Sequence, residues 1–234
     1  LVHGRDAARA ERLAAELDTR ASYYVDDLAD AAAPRRLVQA AITAFGKLDA
    51  LVNNAAYVVR SNLATTDAAL FDRVMAVNLR APLLLIQQAA EHLALAGGCV
   101  LNIGSLNAYC GEANLLPYSI SKGGLVTLSR NLADALGPAG VRVNHFNVGW
   151  VLTDNEYYYK IADGLPENWP QQVPRTTAVC GRLMRPEEIA AAAVYWLSDE
   201  SRPISGSVID LEQYPVVGRN PAKEVDADRP AGGE

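Results

Sequence analysis

Histidine, cysteine and methionine are scarce in this chain, and each scarcity narrows the chemistry open to it. The 234 residues include three histidines, three cysteines and two methionines. His3, His92 and His145 are too few for a histidine-built zinc site, so no metal is expected. Cys99, Cys110 and Cys180 are an odd number without metal-like spacing, which argues against a disulfide framework and for reduced residues of a cytoplasmic protein. Basic clusters are missing too. With a net charge of −6 and a pI near 5.1, neither nucleic acid nor an anionic membrane surface is an expected partner. Long apolar runs are absent: the most apolar stretch, APLLLIQQAAEHLALA, is cut by Gln87, Gln88, Glu91 and His92. Nor is there a segment with the basic start and apolar centre of a secretory leader.

The rest of the composition, 50% apolar and 21% charged, suits one α/β domain with a full core. LVHG reads as the end of a strand, and RDAARAERLAAEL as an amphipathic helix with Leu13 and Leu17 on one face. RASYYV predicts a short strand. Asp30 is expected to cap the helix AAAPRRLVQAAITAF, with Gly46 ending it. LDALVNNA reads as a buried strand, followed by a helical region from Ala68 to Ala96 with Pro82 as its expected kink. CVLNIGS, VRVNHFNV and SVIDL read as strands, and Leu116 to Leu136 and PEEIAAAAVYWLS as helices. Residues 149–185 look loop-rich. Apolar strands alternating with helices predict a single domain built on a parallel sheet covered on both faces, over residues 1–217. The segment 218–234, rich in proline, glycine and charge, is expected to be a partly disordered tail.

In such sheets ligands bind beyond the carboxyl ends of the strands. Polar residues gather there: Asn53 and Asn54 end one strand, Gly104 and Ser105 another, Asn147 and Gly149 a third. The helix LPYSISKGGLVTLSRNLADAL places Tyr118 and Lys122 four residues apart, hence on one face. An ammonium about 4 Å from a phenol favours the phenolate by roughly 4 kcal/mol at an effective dielectric near 20. That is about three pKa units, enough to bring a tyrosine of ordinary pKa near 10 into use as an acid or base at neutrality. Taken alone, the pair also describes a surface tyrosine and lysine on an amphipathic helix. Ser105, thirteen residues earlier, could share a substrate oxygen with the phenol. Asn78 could bond a helix carbonyl and hold a water. The glycines after Lys122 remove bulk where another segment comes close. His145, on a strand, reads as a core histidine.

Five motifs together, NNAA at 53–56, Asn78 after RVMAV, NIGS at 102–105, YSISK at 118–122 and NVGWVLT at 147–153, resemble the short-chain dehydrogenase/reductase (SDR) family. The resemblance runs from the first residues to about Leu211. It implies a Rossmann-type doubly wound parallel sheet in three αβα layers and an oxidoreductase that moves a hydride between NADP(H) and a carbonyl or secondary alcohol. By resemblance, Tyr118 is the acid/base, Lys122 lowers its pKa and holds the nicotinamide ribose, Ser105 polarises the substrate oxygen, and Asn78 anchors a water relay. Asn53 and Ala55 would line the adenosine side. Gly149, Val151 and Thr153 would meet the nicotinamide, and Asp27 with Leu28 the adenine. Asp27 fits a plain strand-end cap equally well. Arg5 sits where a 2′-phosphate ligand is expected, which favours NADP over NAD; it could also be a solvated residue at a helix start. Asn107, Tyr109 and Trp150 should face the substrate with Ser105. Residues 154–180 resemble a mobile lid whose aromatics suit a polyol, a sugar or a cyclic ketone. Relatives commonly pair through two long helices, so a homodimer or homotetramer is expected.

Three departures qualify the match. The family's opening strand and glycine-rich turn are absent from the sequence, which implies that about thirty residues of such a domain lie outside it. A sheet without that strand would carry unpaired edges, and a cofactor-free relative is the alternative. Val148 replaces the usual proline before Gly149, and DLEQYP at 210–215 replaces a glycine pair. A non-catalytic binding or regulatory protein of the same fold is the second reading. An epimerase or dehydratase is a third, disfavoured because only about 80 residues follow Gly149.

Overall fold

A computed structural model describes residues 1–17 and 20–217; the expected tail, 218–234, lies outside the described residues. Six strands appear in chain order: β1 (Val2–Gly4), β2 (Tyr23–Val25), β3 (Ala50–Asn53), β4 (Cys99–Ile103), β5 (Arg142–Val148) and β6 (Val208–Leu211). All pairings are parallel, in two pieces: β1 with β2, and β3-β4-β5-β6 in that order. Residues of β1 and β3, with Leu28, Leu37, Val38 and Leu85, line one cavity of about 770 Å³. Among the described residues β1 and β3 are not paired with each other, and Val52 of β3 stands 43% exposed. These are the unpaired edges foreseen from the sequence.

Local chemistry explains most helix ends. Helix α1 (Ala7–Glu16) opens on Asp6, whose carboxylate accepts from the Arg9 amide. Its core contacts are Ala10 and Ala14; Leu13 and Leu17 are exposed, because the helix turns its small residues rather than its leucines inward. Helix α2 (Ala33–Phe45) starts later than expected: Asp30 accepts from the Ala32 amide in a tight turn before the helix instead of capping it. Gly46 ends α2 in the left-handed conformation, as anticipated.

The region from Ala68 to Ala96 is not one proline-kinked helix. Helix α3 (Ala68–Met75) passes into a five-residue π-helical segment (Ala76–Arg80), then into α4 (Ala81–Ala96). Pro82 is the second residue of α4 and helical backbone runs on both sides of it, so its missing N–H falls next to the π segment, and the two together make the irregularity. Helix α5 (Leu116–Leu136) matches its predicted span. It has no side-chain cap; the Leu116 amide donates to the Ser61 carbonyl, which pins its first turn to the loop after β3. Within the segment expected to be loop lies a further helix, α6 (Asp154–Ala162), capped by Thr153 accepting from the Glu156 amide. The last helix is α7 (Pro186–Leu197).

Strand alternation sorts the core. Val100 pairs in register with Val143, and both pack with Ile86, Ala89 and Leu93 of α4 on one face. Helix α5 joins this face through Leu132, Ala133 and Leu136. On the other face Arg142, buried, donates to the Trp196 and Ser198 carbonyls and to Ser201, tying down the end of α7. Helices on both faces of a parallel sheet make the expected αβα layering. By contacts the chain forms two compact units, Leu1–Gly149 with Glu187–Leu211, and Trp150–Pro186 with the chain from Glu212. Among the described residues no helix is long and apolar enough to cross a membrane, and no group of acidic, histidine or cysteine side chains could hold a metal ion.

Gly98, between α4 and β4, offers a packing test. A Cβ there would collide with the Asp49 carbonyl oxygen and approach Leu93 Cδ2 to 3.0 Å. Gly98→Ala should lower the unfolding free energy by about 1–3 kcal/mol, read as an earlier urea midpoint at unchanged slope.

Candidate active site

The first unit brings several of the singled-out residues to the carboxyl end of the four-stranded sheet. Tyr118 and Lys122 lie one turn apart on α5, and the Lys122 ammonium sits 5.5 Å from the centre of the Tyr118 ring. Lys122 is only 3% exposed, so it is no surface lysine. Its Nζ donates to the Ile103 carbonyl at the end of β4, 2.7 Å away. Burial pushes its pKa down to about 8. An ammonium carries three donors, and one serves Ile103, which leaves donors for a diol or a phenol oxygen.

Ser105 follows β4 directly. Its Oγ accepts from the Asn107 amide at 3.2 Å, which leaves the hydroxyl proton available to a substrate oxygen. Asn107 turns its side-chain amide to Glu112, and Tyr109 donates its phenol proton to Asp210 at 2.9 Å. Burial, followed by the Asp210 hydrogen bond, raises the Tyr109 pKa. Both side chains thus already have partners within the fold.

Asn78 occupies the π-helical segment and is 1% exposed. Its amide does not bond a helix carbonyl. Oδ1 accepts from the Tyr57 amide at 2.7 Å, and Nδ2 donates to the Tyr57 carbonyl and to Ser121 Oγ. Asn78 therefore clamps the loop after β3 to the turn of α5 between Tyr118 and Lys122, and its two donors are used in doing so. Gly124 matters for the same packing: a Cβ there would come within 2.8 Å of Leu79 Cδ2. Gly123 has no comparable need, with only the Ala108 carbonyl at 3.7 Å.

On the dinucleotide side, Asn53 is buried and donates through Nδ2 to Asn102, while its Oδ1 is among the few buried polar atoms without a partner. Ala55 is exposed in the loop beyond. Arg5 is exposed just after β1, close enough to Asp27 to help hold that carboxyl down. Asp27 accepts from the Ala29 amide and pairs with Arg73 at 2.7 Å, so the strand-end cap is realised. Leu28 belongs to the core rather than the surface. Gly149 donates its amide to the Leu211 carbonyl.

Trp150, Val151 and Thr153 belong to the second unit. There Val151 bridges to Met184 and Thr153 caps α6. Trp150 stacks on Trp169 at 5.6 Å and 14°, donates to Glu156, and carries Lys160 over its ring.

Sequence reasoning missed one feature of the first unit. Asn53, Asn102 and His145 stand in register across β3, β4 and β5, and Asn147 pairs with Asp210 one step on. With Ser129 of α5 above them they form one hydrogen-bonded row through the buried sheet. The signal was present as His145 and Asn147, two polar residues two positions apart and so on one face of VRVNHFNV. Burial pushes the His145 pKa down to about 4, opposed by its bond to Asn147; Lys122 and Arg130 lower it further and Asp210 raises it.

This shift makes stability pH-dependent. The folded pKa of His145 is below its unfolded value of 6.5, so the unfolded chain takes up the proton first. The contribution is whole above about pH 6.5 and is lost towards about pH 4, on the order of 3 kcal/mol in all. Urea unfolding at pH 7 and pH 4.5 should show this slope, and His145→Gln should flatten it.

The SDR resemblance can be set against known proteins. The family described as enoyl-(acyl carrier protein) reductase matches residues 2–212. A D-threitol dehydrogenase of Mycolicibacterium smegmatis is 34% identical over 216 residues, covering 88% of this chain and 79% of that one. A 3-ketoacyl-(acyl-carrier-protein) reductase from Brucella melitensis, solved with NADH, aligns at TM-score 0.76 and 30% identity over 89% of this chain and 84% of that one. An NADPH-bound short-chain oxidoreductase from Pseudomonas aeruginosa, with an atypical catalytic center, aligns at TM-score 0.80 and 26% identity over 89% and 83%.

Proposed function

Because the chain belongs to the short-chain dehydrogenase/reductase family of oxidoreductases, we propose that it interconverts a secondary alcohol and a carbonyl with NADP(H), using Tyr118 as acid/base. The observation that carries this reading is the buried Lys122 ammonium, held one helical turn from Tyr118 on the carbonyl of Ile103, the last residue of β4 and two before Ser105. Such a charge is expensive to bury, and a phenolate is the partner that offsets it.

The residues present fit a nicotinamide dinucleotide. Lys122 retains donors suited to ribose hydroxyls, and Asn53 offers an unpartnered acceptor beside β3. When bound, the cofactor exchanges the hydride. In the reducing direction Ser105 donates a hydrogen bond to the substrate oxygen, and Tyr118 delivers a proton to that oxygen as the carbon is reduced. In the oxidising direction Tyr118 removes the alcohol proton. Lys122 stabilises the phenolate in both. Arg5 supports NADP over NAD because a guanidinium after β1 can pair with a 2′-phosphate. A polyol or cyclic alcohol is the substrate class proposed, from the polar and aromatic character of Asn107, Tyr109 and Trp150, which the family resemblance places towards the substrate. The exposed Leu83 on α4 and the 730 Å³ hollow between α3–α4 and α5 support self-association into a dimer or tetramer.

Two outcomes follow. Tyr118→Phe should lower kcat by about 10²–10⁴-fold while NADPH affinity, read by fluorescence titration, stays within about twofold. Arg5→Ser should weaken NADPH by roughly 10- to 100-fold and leave NADH unchanged. Wild-type turnover by the phenylalanine variant would end the Tyr118 assignment, and equal losses for both cofactors would end that of Arg5.

A further inference from the structure

The row of buried polar groups across the sheet has a direction. Asp210 Oδ1 accepts from Asn147 Nδ2 at 3.3 Å and from the Tyr109 phenol at 2.9 Å. An ionised carboxylate only accepts, so the Asn147 amide must turn its Nδ2 towards Asp210 and its Oδ1 towards His145. His145 Nε2, 3.0 Å from that Oδ1, then has to carry the proton. His145 Nδ1 is left as the acceptor and faces Ser129 Oγ at 2.9 Å, whose hydroxyl proton it shares with the Leu125 carbonyl. Ser129 Oγ in turn accepts from Asn102 Nδ2, and Asn102 Oδ1 from Asn53 Nδ2. One carboxylate at the sheet edge thus sets the Asn147 amide and, through it, the histidine tautomer.

His145 also supports the strand end that carries Ser105. It is wholly buried, and Gly104 is packed so closely on it that a Cβ there would overlap Nε2 and lie 2.6 Å from Cε1. The Gly104 amide donates to the Phe146 carbonyl at 2.6 Å, so Gly104 is bonded to the residue next to His145 and rests on its ring. No side chain of Gly104 intervenes between the imidazole and the backbone that leads into Ser105.

We propose that His145 is a positioning residue for Ser105: a neutral imidazole, its tautomer set by Asp210 through Asn147, that fixes the Gly104–Ser105 backbone and with it the direction of the Ser105 hydroxyl. The inference rests on the reading of Ser105 as the group that polarises the substrate oxygen. It assigns a role to Asp210 and Asn147 as well, although neither need touch substrate.

Two measurements on the whole protein test it. In ¹⁵N NMR of histidine side chains, the His145 signal, identified by its loss in His145→Ala, should show a neutral Nε2–H ring at pH 7. Asp210→Ala should admit the Nδ1–H form. A native Nδ1–H ring would overturn the tautomer assignment. In hydrogen exchange, His145→Ala should speed the Gly104 and Ser105 amides at least tenfold. Val143→Ala, a fully buried cavity on the same strand and face, should leave them within about threefold. Equal effects of the two variants would reduce His145 to ordinary core packing.

Kinetics on cyclohexanol with NADP separates this inference from the reading beneath it. His145→Ala should lower kcat about 10- to 100-fold, as for a displaced group, yet add nothing in a Ser105→Ala background. Additive losses would overturn the positioning role. A Ser105→Ala enzyme as active as wild type would instead overturn the reading of Ser105, whatever the exchange data show.

Discussion

Much of the first unit is arranged around one buried charge. The Lys122 ammonium is removed from water, lowered in basicity, and met by the Ile103 carbonyl and the neighbouring phenol. Its position follows from structure on three sides. The Ser61 carbonyl receives the first amide of α5, Asn78 joins the loop after β3 to Ser121, and β4 ends on the carbonyl that accepts from Nζ. The π-helical segment is where Asn78 sits, so the irregular helix belongs to the same construction.

A second constraint runs at right angles to the first. Parallel strands in register place Asn53, Asn102 and His145 in one line, where their polar groups are met by one another, by Ser129 and by Asn147. Buried polar groups of this kind stabilise one arrangement and penalise others. At one end is the Asp210 carboxylate, at the other the unpartnered Asn53 Oδ1 at the open edge of β3. The row therefore links the far side of the sheet to the cavity between β1 and β3.

How much of this could be read from residues alone depended on whether the cause was local. The span of α5 and the stop at Gly46 follow from nearby residues and were legible. The inward face of α1 was not, because a leucine-based pattern misleads when close packing selects Ala10 and Ala14. The π segment was hidden because Pro82, which follows it closely, is the louder signal. Tyr118 and Lys122 were visible as a spacing. That Lys122 is buried, that Asn78 holds Tyr57, and that His145 lies under Gly104 are tertiary facts, set by elements far apart in the chain. Asp27, by contrast, has a local cause for its place, since its carboxylate accepts from the Ala29 amide two residues on.

The central claim is that the Lys122 charge makes the Tyr118 phenol usable near neutrality, and a titration of that phenol tests it without any substrate. With ¹³Cζ-labelled tyrosine, the Tyr118 resonance can be identified by its loss in Tyr118→Phe and followed with pH in wild type and in Lys122→Met. The account predicts an ionisation clearly below the ordinary value near 10 in the wild type, moving back towards it in the variant. A Tyr118 that titrates near 10 in both proteins would contradict it.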